Sequence, residues 1–238
     1  MMRLDKYLCD LAVGSRSEVK NFIRKGQIAI NGQVVKKPET KVNEQEDEVT
    51  YNGKVLQYAR FRYFMLNKPA GVVSAVKDRI SETVVELLGN PGIKDLFPVG
   101  RLDKDTEGLL LITNDGMLAH ELLSPKKHVD KTYYVKIAKA LSKEDISALQ
   151  QGVDIGEEKR TLPAKVEVLS DLEILLTIQE GKFHQVKRML MAVENEVCYL
   201  KRISMGTLTL DESLLPGQFR ELTEEEQNNL KGGRGMHE

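Results

Sequence analysis

The segment that most constrains the fold lies near the middle of the chain, at residues 100–116, and reads GRLDKDTEGLLLITNDG. Residues 109–113 are apolar except for the last, and Asn114, Asp115 and Gly116 follow them and favour a turn. A short apolar run closed by a turn is typical of a strand covered on both faces. The sequence therefore predicts a central strand in a domain large enough to bury it.

The loop before this strand is crowded with polar side chains. They are Arg101, Asp103, Lys104, Asp105, Thr106 and Glu107. Two roles are open to such a loop: a solvated segment with internal ion pairs, or a set of reactive groups presented by a rigid scaffold. The loop alone does not decide between them.

Length and composition narrow the class of protein. The 238 residues allow one large domain or two modest ones. Charged residues make up 30% of the chain, no apolar run approaches the ~20 residues of a membrane helix, and no signal-peptide pattern is present. We expect a cytoplasmic protein with no membrane segment. Cys9 and Cys198 form no C-x-x-C pair, so buried reduced thiols are expected, with no disulfide and no metal site.

Charge is unevenly distributed along the chain. The formal net charge is -1, but residues 1–37 hold eight Lys or Arg against three acids, a local charge of +5. Local clustering matters more for phosphate binding than the total does. A nucleic-acid partner therefore stays open despite the net charge.

The N-terminal third predicts a small module of two helices and a hairpin. Leu4, Leu8 and Leu11 recur at helical spacing. Ser15 and Glu18 have the spacing of a capping box that starts a second helix, which Gly26 can end. Apolar residues on either side of the dipeptide at 31–32, Asn-Gly, then predict a hairpin. Residues 38 to about 60 are interpreted as a last strand and a linker.

This module resembles the S4 RNA-binding domain, on the residues RLDKYL and SRSEVKNFIRKGQIAINGQVV. In that domain the second helix and the turn after it face RNA. The resemblance implies backbone phosphate contacts from Arg16, Ser17, Lys20, Arg24 and Lys25. The alternative, a solvated basic helix face without a partner, stays open.

Residues 59–231 predict a second, larger domain, and residues 232–238 a flexible tail. Alternating β-branched and aromatic residues at 131–137, 164–169 and 172–179 indicate strands, and residues 142–151 indicate a helix that Ser142 caps. The fold class is therefore α+β: a small N-terminal domain linked to a mixed, largely antiparallel sheet.

Three stretches of this second domain could carry chemistry. They are the loop with Asp103, the strand KTYYV with Tyr133, and EGKFHQVKRM with His184 and Lys187. Taken singly, each has an ordinary alternative: Asp103 as a local cap or ion pair, Tyr133 as sheet packing, His184 as a surface hydrogen-bonding residue, Lys187 as a solvated cation. Their order along the chain is more specific than any one of them.

These stretches, with KPAG at 68–71, resemble the motifs of the pseudouridine synthases, in the same order. Within them the chain is similar to the RsuA branch, which acts on small-subunit ribosomal RNA and carries an N-terminal S4 domain. The RluB, RluE and RluF types, which act on large-subunit RNA, share these motifs. The resemblance extends from Arg3 to about Leu230.

The resemblance implies roles for individual residues. Asp103 matches the catalytic aspartate. Tyr133 matches the tyrosine that packs against the target base and is a candidate proton acceptor. Lys187 lies where relatives place a cation, often arginine, that pairs with the aspartate. The other RNA contacts implied in this domain are Arg101, His184, Gln185 and Arg188.

The implied reaction isomerises uridine to pseudouridine and needs neither cofactor nor metal. The bond from N1 to C1′ breaks, the uracil turns, and C5 bonds to C1′. Asp103 acts as nucleophile or base and must be ionised, which an adjacent cation favours. The uridine must first leave its stack, at a cost of a few kcal/mol.

We therefore expect a monomeric enzyme that modifies 16S ribosomal RNA within a small-subunit assembly intermediate. HQVKRM and residues 206–222 favour that branch. Two alternatives stay open: a 23S enzyme of the same family, and a non-catalytic RNA-binding protein of ribosome assembly. A binder would need none of Asp103, Tyr133 and Lys187, so their presence favours an enzyme.

Overall fold

The structure is a computed structural model that describes residues 1–89 and 91–232. The chain divides into two compact units. The first contains Met1–Arg62 and Gly89–Leu96, and the second contains Tyr63–Leu88 and the chain from Phe97 onwards. The sequence predicts a boundary after residue 58 and does not predict that Gly89–Leu96 belongs to the first unit. The predicted tail at 232–238 lies outside the described residues except for Gly232, which ends a helix.

The elements of the first unit follow the sequence pattern closely. In chain order they are β1 (Met2–Arg3), α1 (Leu4–Asp10), α2 (Arg16–Arg24), β2 (Ile28–Ile30), β3 (Gln33–Val34), β4 (Lys41–Val42), β5 (Val49–Tyr51) and β6 (Lys54–Leu56). The capping box forms at the start of α2, where the Glu18 carboxylate accepts a hydrogen bond from the Ser15 amide at 2.8 Å. Gly26 follows α2 with φ of 73°, the left-handed conformation that a C-terminal cap requires.

A sheet with strand order β3-β2-β5-β6 packs against the two helices of this unit. Both hairpin turns are Asn-Gly pairs with positive φ, 49° and 76° at Asn31 and Gly32, and 48° and 77° at Asn52 and Gly53. The second hairpin lies within the segment interpreted as a last strand and a linker, and Lys54–Leu56 pairs with β5 as a strand. The later segment joins this unit through Lys94, whose amide donates to the Asp10 carbonyl and whose Nζ donates to that of Gly14.

The second unit is built on one large sheet. Its elements in chain order are β7 (Tyr63–Lys68), β8 (Phe97–Pro98), β9 (Glu107–Thr113), α3 (Gly116–Leu123), β10 (Lys131–Ile137), α4 (Lys143–Gln151), β11 (Lys165–Ser170), β12 (Glu173–Ile178), α5 (Gln185–Ala192), β13 (Val197–Met205), β14 (Leu208–Thr209), β15 (Phe219–Glu221) and α6 (Glu224–Gly232). Short 3₁₀ turns lie at Glu86–Leu88 and Pro125–Lys127.

The strand order is β11-β12-β10-β13-β9-β7-β15, with β14 beside β13 and β8 beside β9. The pairing of β13 with β9 is parallel, and the neighbouring pairs are antiparallel. Strand β9 is the predicted central strand, and its residues from Leu109 to Ile112 have no exposed surface. The mixed, largely antiparallel α+β fold is confirmed.

Gly108 makes the close approach of β9 to β13 possible. Its φ is 100°, and a Cβ on it would lie 2.2 Å from the Arg202 carbonyl oxygen. Glycine adopts such a φ without steric cost, and any larger residue would clash with the backbone of β13. The loop that precedes β9 therefore leaves the sheet where its two parallel strands meet.

One expectation about the cysteines is wrong. Cys9 is buried and Cys198 is exposed, and both are free. The pairing of β13 with β10 shifts register between Tyr199 and Val197, and Cys198 is the extra residue at this irregularity, without a partner on β10. Within the described residues, no helix is both long enough and apolar enough to cross a membrane.

Candidate active site

Lys68 fixes the loop that carries Asp103. Its side chain is fully buried at the end of β7, and Nζ donates to the carbonyl oxygens of Pro69 (3.0 Å), Lys104 (3.2 Å) and Thr106 (2.8 Å). Burial lowers the pKa of Lys68 to about 8, and the carboxylates of the loop oppose that shift. An ammonium has three donors, so this one is fully used. The sequence pointed to KPAG as a motif but gave Lys68 no role.

Two further contacts hold the loop in shape. The Ser74 hydroxyl donates to the Leu102 carbonyl at 2.9 Å and accepts from the Leu102 amide at 3.0 Å. The Thr106 amide donates to the Asp103 carbonyl at 3.1 Å. Asp103 therefore lies on a backbone that is fixed on both sides, with its side chain 26% exposed.

Tyr133 forms part of the floor of a cleft next to Asp103. It is 7% exposed and lies on β10, on the same face as Lys131 and Val135, as the alternation predicts. The cleft is lined by Arg101, Leu102, Asp103, Thr106, Tyr133, Ile178, Gly181, Lys182, His184, Gln185, Val186, Lys187 and Leu200. The loop, β10 and the start of α5 thus meet at one opening.

The N-terminal end of α5 brings two basic side chains close to Asp103. Lys187 Nζ lies 3.4 Å from Asp103 Oδ2, and His184 Nε2 lies 3.6 Å from Asp103 Oδ1. Lys187 also donates to both carboxylate oxygens of Asp105, at 2.6 and 2.8 Å. The ion pair expected between Lys187 and Asp103 is present, but the closer partner of Lys187 is Asp105.

The pKa values of this pair follow from the same contacts. The hydrogen bond from Lys187 lowers the pKa of Asp105. Burial lowers the pKa of Lys187, but the hydrogen bond to Asp105 and the charge of Asp103 outweigh it and raise the value overall. Both groups stay charged near neutral pH.

Two of the expected RNA contacts are engaged inside the protein. Gln185 is buried, and its side-chain Nε2 donates to Glu180 at 2.8 Å while its Oε1 accepts from the backbone amide of Lys182 at 2.9 Å. Arg188 donates to Glu157 at 2.8 Å and to the carbonyl oxygens of Ile155 and Phe183. These side chains shape the turn before α5. Arg101, by contrast, is exposed at the edge of the cleft.

The expected contacts of the first unit lie on its surface. Arg16, Ser17, Lys20, Arg24 and Lys25 are all exposed on or just after α2. A separate cavity of about 430 Å³ is lined by Arg3, Asp5, Lys6, Cys9, Asp10, Arg16 and Lys20. Asp5 binds Arg3 at 2.8 Å and Asp10 binds Lys6, whereas Arg16 and Lys20 form no ion pair with any carboxylate of the described residues.

Comparison with known proteins gives this arrangement a family. The family model described as RNA pseudouridylate synthase matches residues 62–192, and the S4 domain model matches residues 2–49. An uncharacterised RNA pseudouridine synthase of Bacillus subtilis is 52% identical to this chain, and the alignment covers 94% of this chain and 96% of that protein. The ribosomal small subunit pseudouridine synthase A of Vibrio cholerae is 43% identical, covering 94% and 97%.

A solved structure agrees with the sequence relatives. A crystal structure of a pseudouridylate synthase superposes with a TM-score of 0.69 and 40% identity, covering 97% of this chain and all of that one. The motifs, the fold and the relatives therefore agree over nearly the whole length. The chain belongs to the RNA pseudouridylate synthase family, isomerases that convert uridine in RNA to pseudouridine, and it carries an RNA-binding S4 domain at its N-terminal end.

Proposed function

We propose that the substrate of this chain is a uridine of small-subunit ribosomal RNA and that Asp103 is the catalytic residue. The observation that carries the catalytic assignment is the position of Asp103, fixed at the cleft, beside buried Tyr133 and 3.4 Å from Lys187. The names of relatives at 40 to 43% identity, such as those from Haemophilus influenzae and Vibrio cholerae, support the choice of RNA.

The proposed mechanism uses charge and shape. Asp103 attacks C1′ of the ribose or removes a proton from the sugar, so that the bond from N1 to C1′ breaks. The freed uracil turns in the cleft and C5 bonds to C1′, after which C5 loses its proton and N1 gains one. Tyr133 supports the base and is the candidate acceptor of the C5 proton. Lys187 pairs with the Asp103 carboxylate across 3.4 Å, and Arg101 fills the space that the extruded nucleotide leaves.

The S4 domain supplies affinity in this proposal. Its exposed cations on α2 bind phosphates without reading sequence, and that binding energy offsets the cost of extruding the uridine. We propose that the enzyme acts as a monomer in the cytoplasm, on RNA within a small-subunit assembly intermediate.

Release of tritium tests the proposal directly. Ribosomal RNA labelled with tritium at uracil C5 should release its label when incubated with the protein, because C5 exchanges its proton for a bond to carbon. Asp103→Asn should abolish release while RNA affinity stays within about threefold. Asp171→Asn, an exposed aspartate at a hairpin tip, is the matched control and should retain full activity.

Mapping the modified nucleotide tests the choice of RNA. A pseudouridine in large-subunit RNA would contradict the substrate assignment and leave the catalytic one intact. Turnover by Asp103→Asn would contradict the catalytic assignment. Absence of release from both free RNA and assembly intermediates would contradict the whole proposal.

A further inference from the structure

Phe183 is an aromatic side chain presented to solvent between Lys182 and His184, two residues that line the cleft. It is 69% exposed, although phenylalanine is one of the side chains most often buried in proteins. It comes directly before His184 and α5. A large apolar side chain left in water next to a binding cleft is a candidate for contact with the ligand of that cleft.

The ring of Phe183 is held in place. It stacks on the His184 imidazole, with ring centroids 3.8 Å apart and planes 21° apart. The Phe183 carbonyl accepts a hydrogen bond from Arg188 at 3.0 Å, and the Lys182 amide donates to Gln185 at 2.9 Å. His184 itself adopts a left-handed conformation, with φ of 49° and ψ of 35°, which turns the chain sharply into α5. This backbone is therefore ordered, and the exposure of Phe183 is a built feature of the turn.

The stack leads from the surface to Asp103. His184 stacks on Phe183, and its Nε2 lies 3.6 Å from Asp103 Oδ1. A nucleobase resting on Phe183 would extend a continuous series of rings that ends at the carboxylate. The separation of the Phe183 and His184 ring centroids, 3.8 Å, is close to the spacing between stacked bases.

We propose that Phe183, backed by His184, is a stacking platform for an unpaired nucleobase next to the uridine that is modified. Extruding one uridine leaves its neighbour without a stacking partner, and an aromatic face restores that contact without regard to sequence. The platform differs from Tyr133, which is buried in the floor of the cleft. The inference rests on the proposed function for the position of the target uridine, but its test does not require turnover.

Tryptophan fluorescence provides the first test. The chain has no tryptophan, so Phe183→Trp introduces a single tryptophan at the platform, which is excited at wavelengths that tyrosine does not absorb. Titration with a single-stranded decauridylate should quench its emission, and an abasic ribose-phosphate strand of the same length should not. The control is Leu172→Trp, an exposed position at the tip of the hairpin between β11 and β12, six residues along β12 from Ile178 of the cleft. Its emission should not respond to either strand.

Kinetics with tritium-labelled small-subunit ribosomal RNA provide the second test. Phe183→Leu keeps an apolar side chain but removes the aromatic face, and should raise KM by at least about fivefold, the low end for loss of one stacked base, with kcat within about twofold. Phe183→Tyr should retain the wild-type KM.

Three results would overturn the platform. They are equal quenching by the abasic strand, an emission from Phe183→Trp that the decauridylate leaves unchanged, and a wild-type KM for Phe183→Leu. If the wild-type protein releases no tritium, the proposed function fails, and the fluorescence result still decides the platform.

Discussion

Lys187 lies between two carboxylates, and the distances show which one binds it more closely. Both oxygens of Asp105 accept hydrogen bonds from it, whereas Asp103 lies at 3.4 Å. The sequence pointed to Asp103 and Lys187 as a pair, and the structure contains that pair. It did not predict that a second carboxylate two residues later holds the lysine in position.

We predict that Asp105 positions Lys187. Asp105→Asn removes the charge that holds the ammonium, so kcat should fall by about tenfold, a change of about 1.4 kcal/mol in the barrier, with KM within about twofold. Asp105→Glu keeps the carboxylate and should recover most of the rate. Equal activity of Asp105→Asn and the wild type would show that this pair is only a surface contact.

Lys68 holds the loop that carries Asp103, a role that the KPAG motif does not reveal. A buried lysine that donates to three carbonyl oxygens is identified only when the loop around it is folded. The sequence places the lysine next to Pro69 but says nothing of Lys104 and Thr106, which follow more than thirty residues later.

We predict that Lys68→Met weakens both the fold and the active site. Loss of the donors leaves buried carbonyls unsatisfied at about 1–3 kcal/mol, but removing a buried charge recovers part of that cost. The net loss of unfolding free energy should be about 1–2 kcal/mol, and kcat should fall by more than about tenfold because the loop loosens. Lys104→Met, an exposed lysine of the same loop, is the control and should change stability by less than about 0.5 kcal/mol.

Among the elements, strand β13 was not predicted from the sequence. Strand β13 reads VCYLKRISM, in which Arg202 is 2% exposed and donates to the Leu109 carbonyl at 2.8 Å. A charged residue at a core position breaks the alternation that identifies a strand. Strand β9, by contrast, is wholly apolar where it is buried and was correctly predicted.

The last helix was missed for a different reason. Helix α6 is acidic and buries only Leu230 among its described side chains, so it has no apolar stripe to detect. Instead, Arg220 on β15 donates to Glu226 of α6 from both terminal guanidinium nitrogens at 2.8 Å, and its Nε donates to Asp211 at 2.6 Å. This ion cluster, together with buried Leu230, attaches the helix.

This cluster predicts an acid-sensitive attachment. Asp211 accepts hydrogen bonds from Ser213 and Arg220, and these bonds, the one from Ser213 most strongly, lower its pKa to about 2. The hydrogen bond from Arg220 also lowers the pKa of Glu226. Both values are depressed in the folded state. Their contribution to stability is therefore complete above about pH 4.5, where the unfolded carboxylates ionise, and is lost as the pH falls towards about 2.

We predict that Arg220→Met lowers the melting temperature by about 2–4 °C at neutral pH. Between about pH 5 and 2 the melting temperature of this variant should fall less than that of the wild type. Thermal unfolding followed by circular dichroism measures both. Lys165→Met removes a more exposed ion pair with Asp130 and should leave the melting temperature unchanged. An unaltered pH dependence in Arg220→Met would show that other carboxylates control acid unfolding.

At the scale of the whole molecule, the net charge conceals the distribution of charge. The chain as a whole carries -1, while its first 37 residues carry +5. The exposed cations of α2 belong to that part of the chain. RNA affinity should therefore depend on a few local cations and fall steeply with salt.

We predict that the double variant Arg16→Gln/Lys20→Gln reduces the slope of log K against log salt by about 2, roughly one unit for each phosphate that the variant no longer neutralises. Lys139→Gln/Lys143→Gln changes the net charge equally at exposed positions of the second unit and should leave the slope unchanged. Identical slopes for the two double variants would show that α2 takes no part in binding.

The sequence by itself determined the elements whose signals are local. Helix caps, the Asn-Gly turn at residues 31–32 and the apolar run of β9 depend on neighbouring residues, and each formed where it was predicted. The tertiary structure alone decided which distant residues meet: Arg202 with the backbone of β9, Lys68 with the loop that carries Asp103, and Asp105 with Lys187. These contacts join residues tens of positions apart, and their energies exist only after the chain has closed the intervening loops, so no local pattern records them.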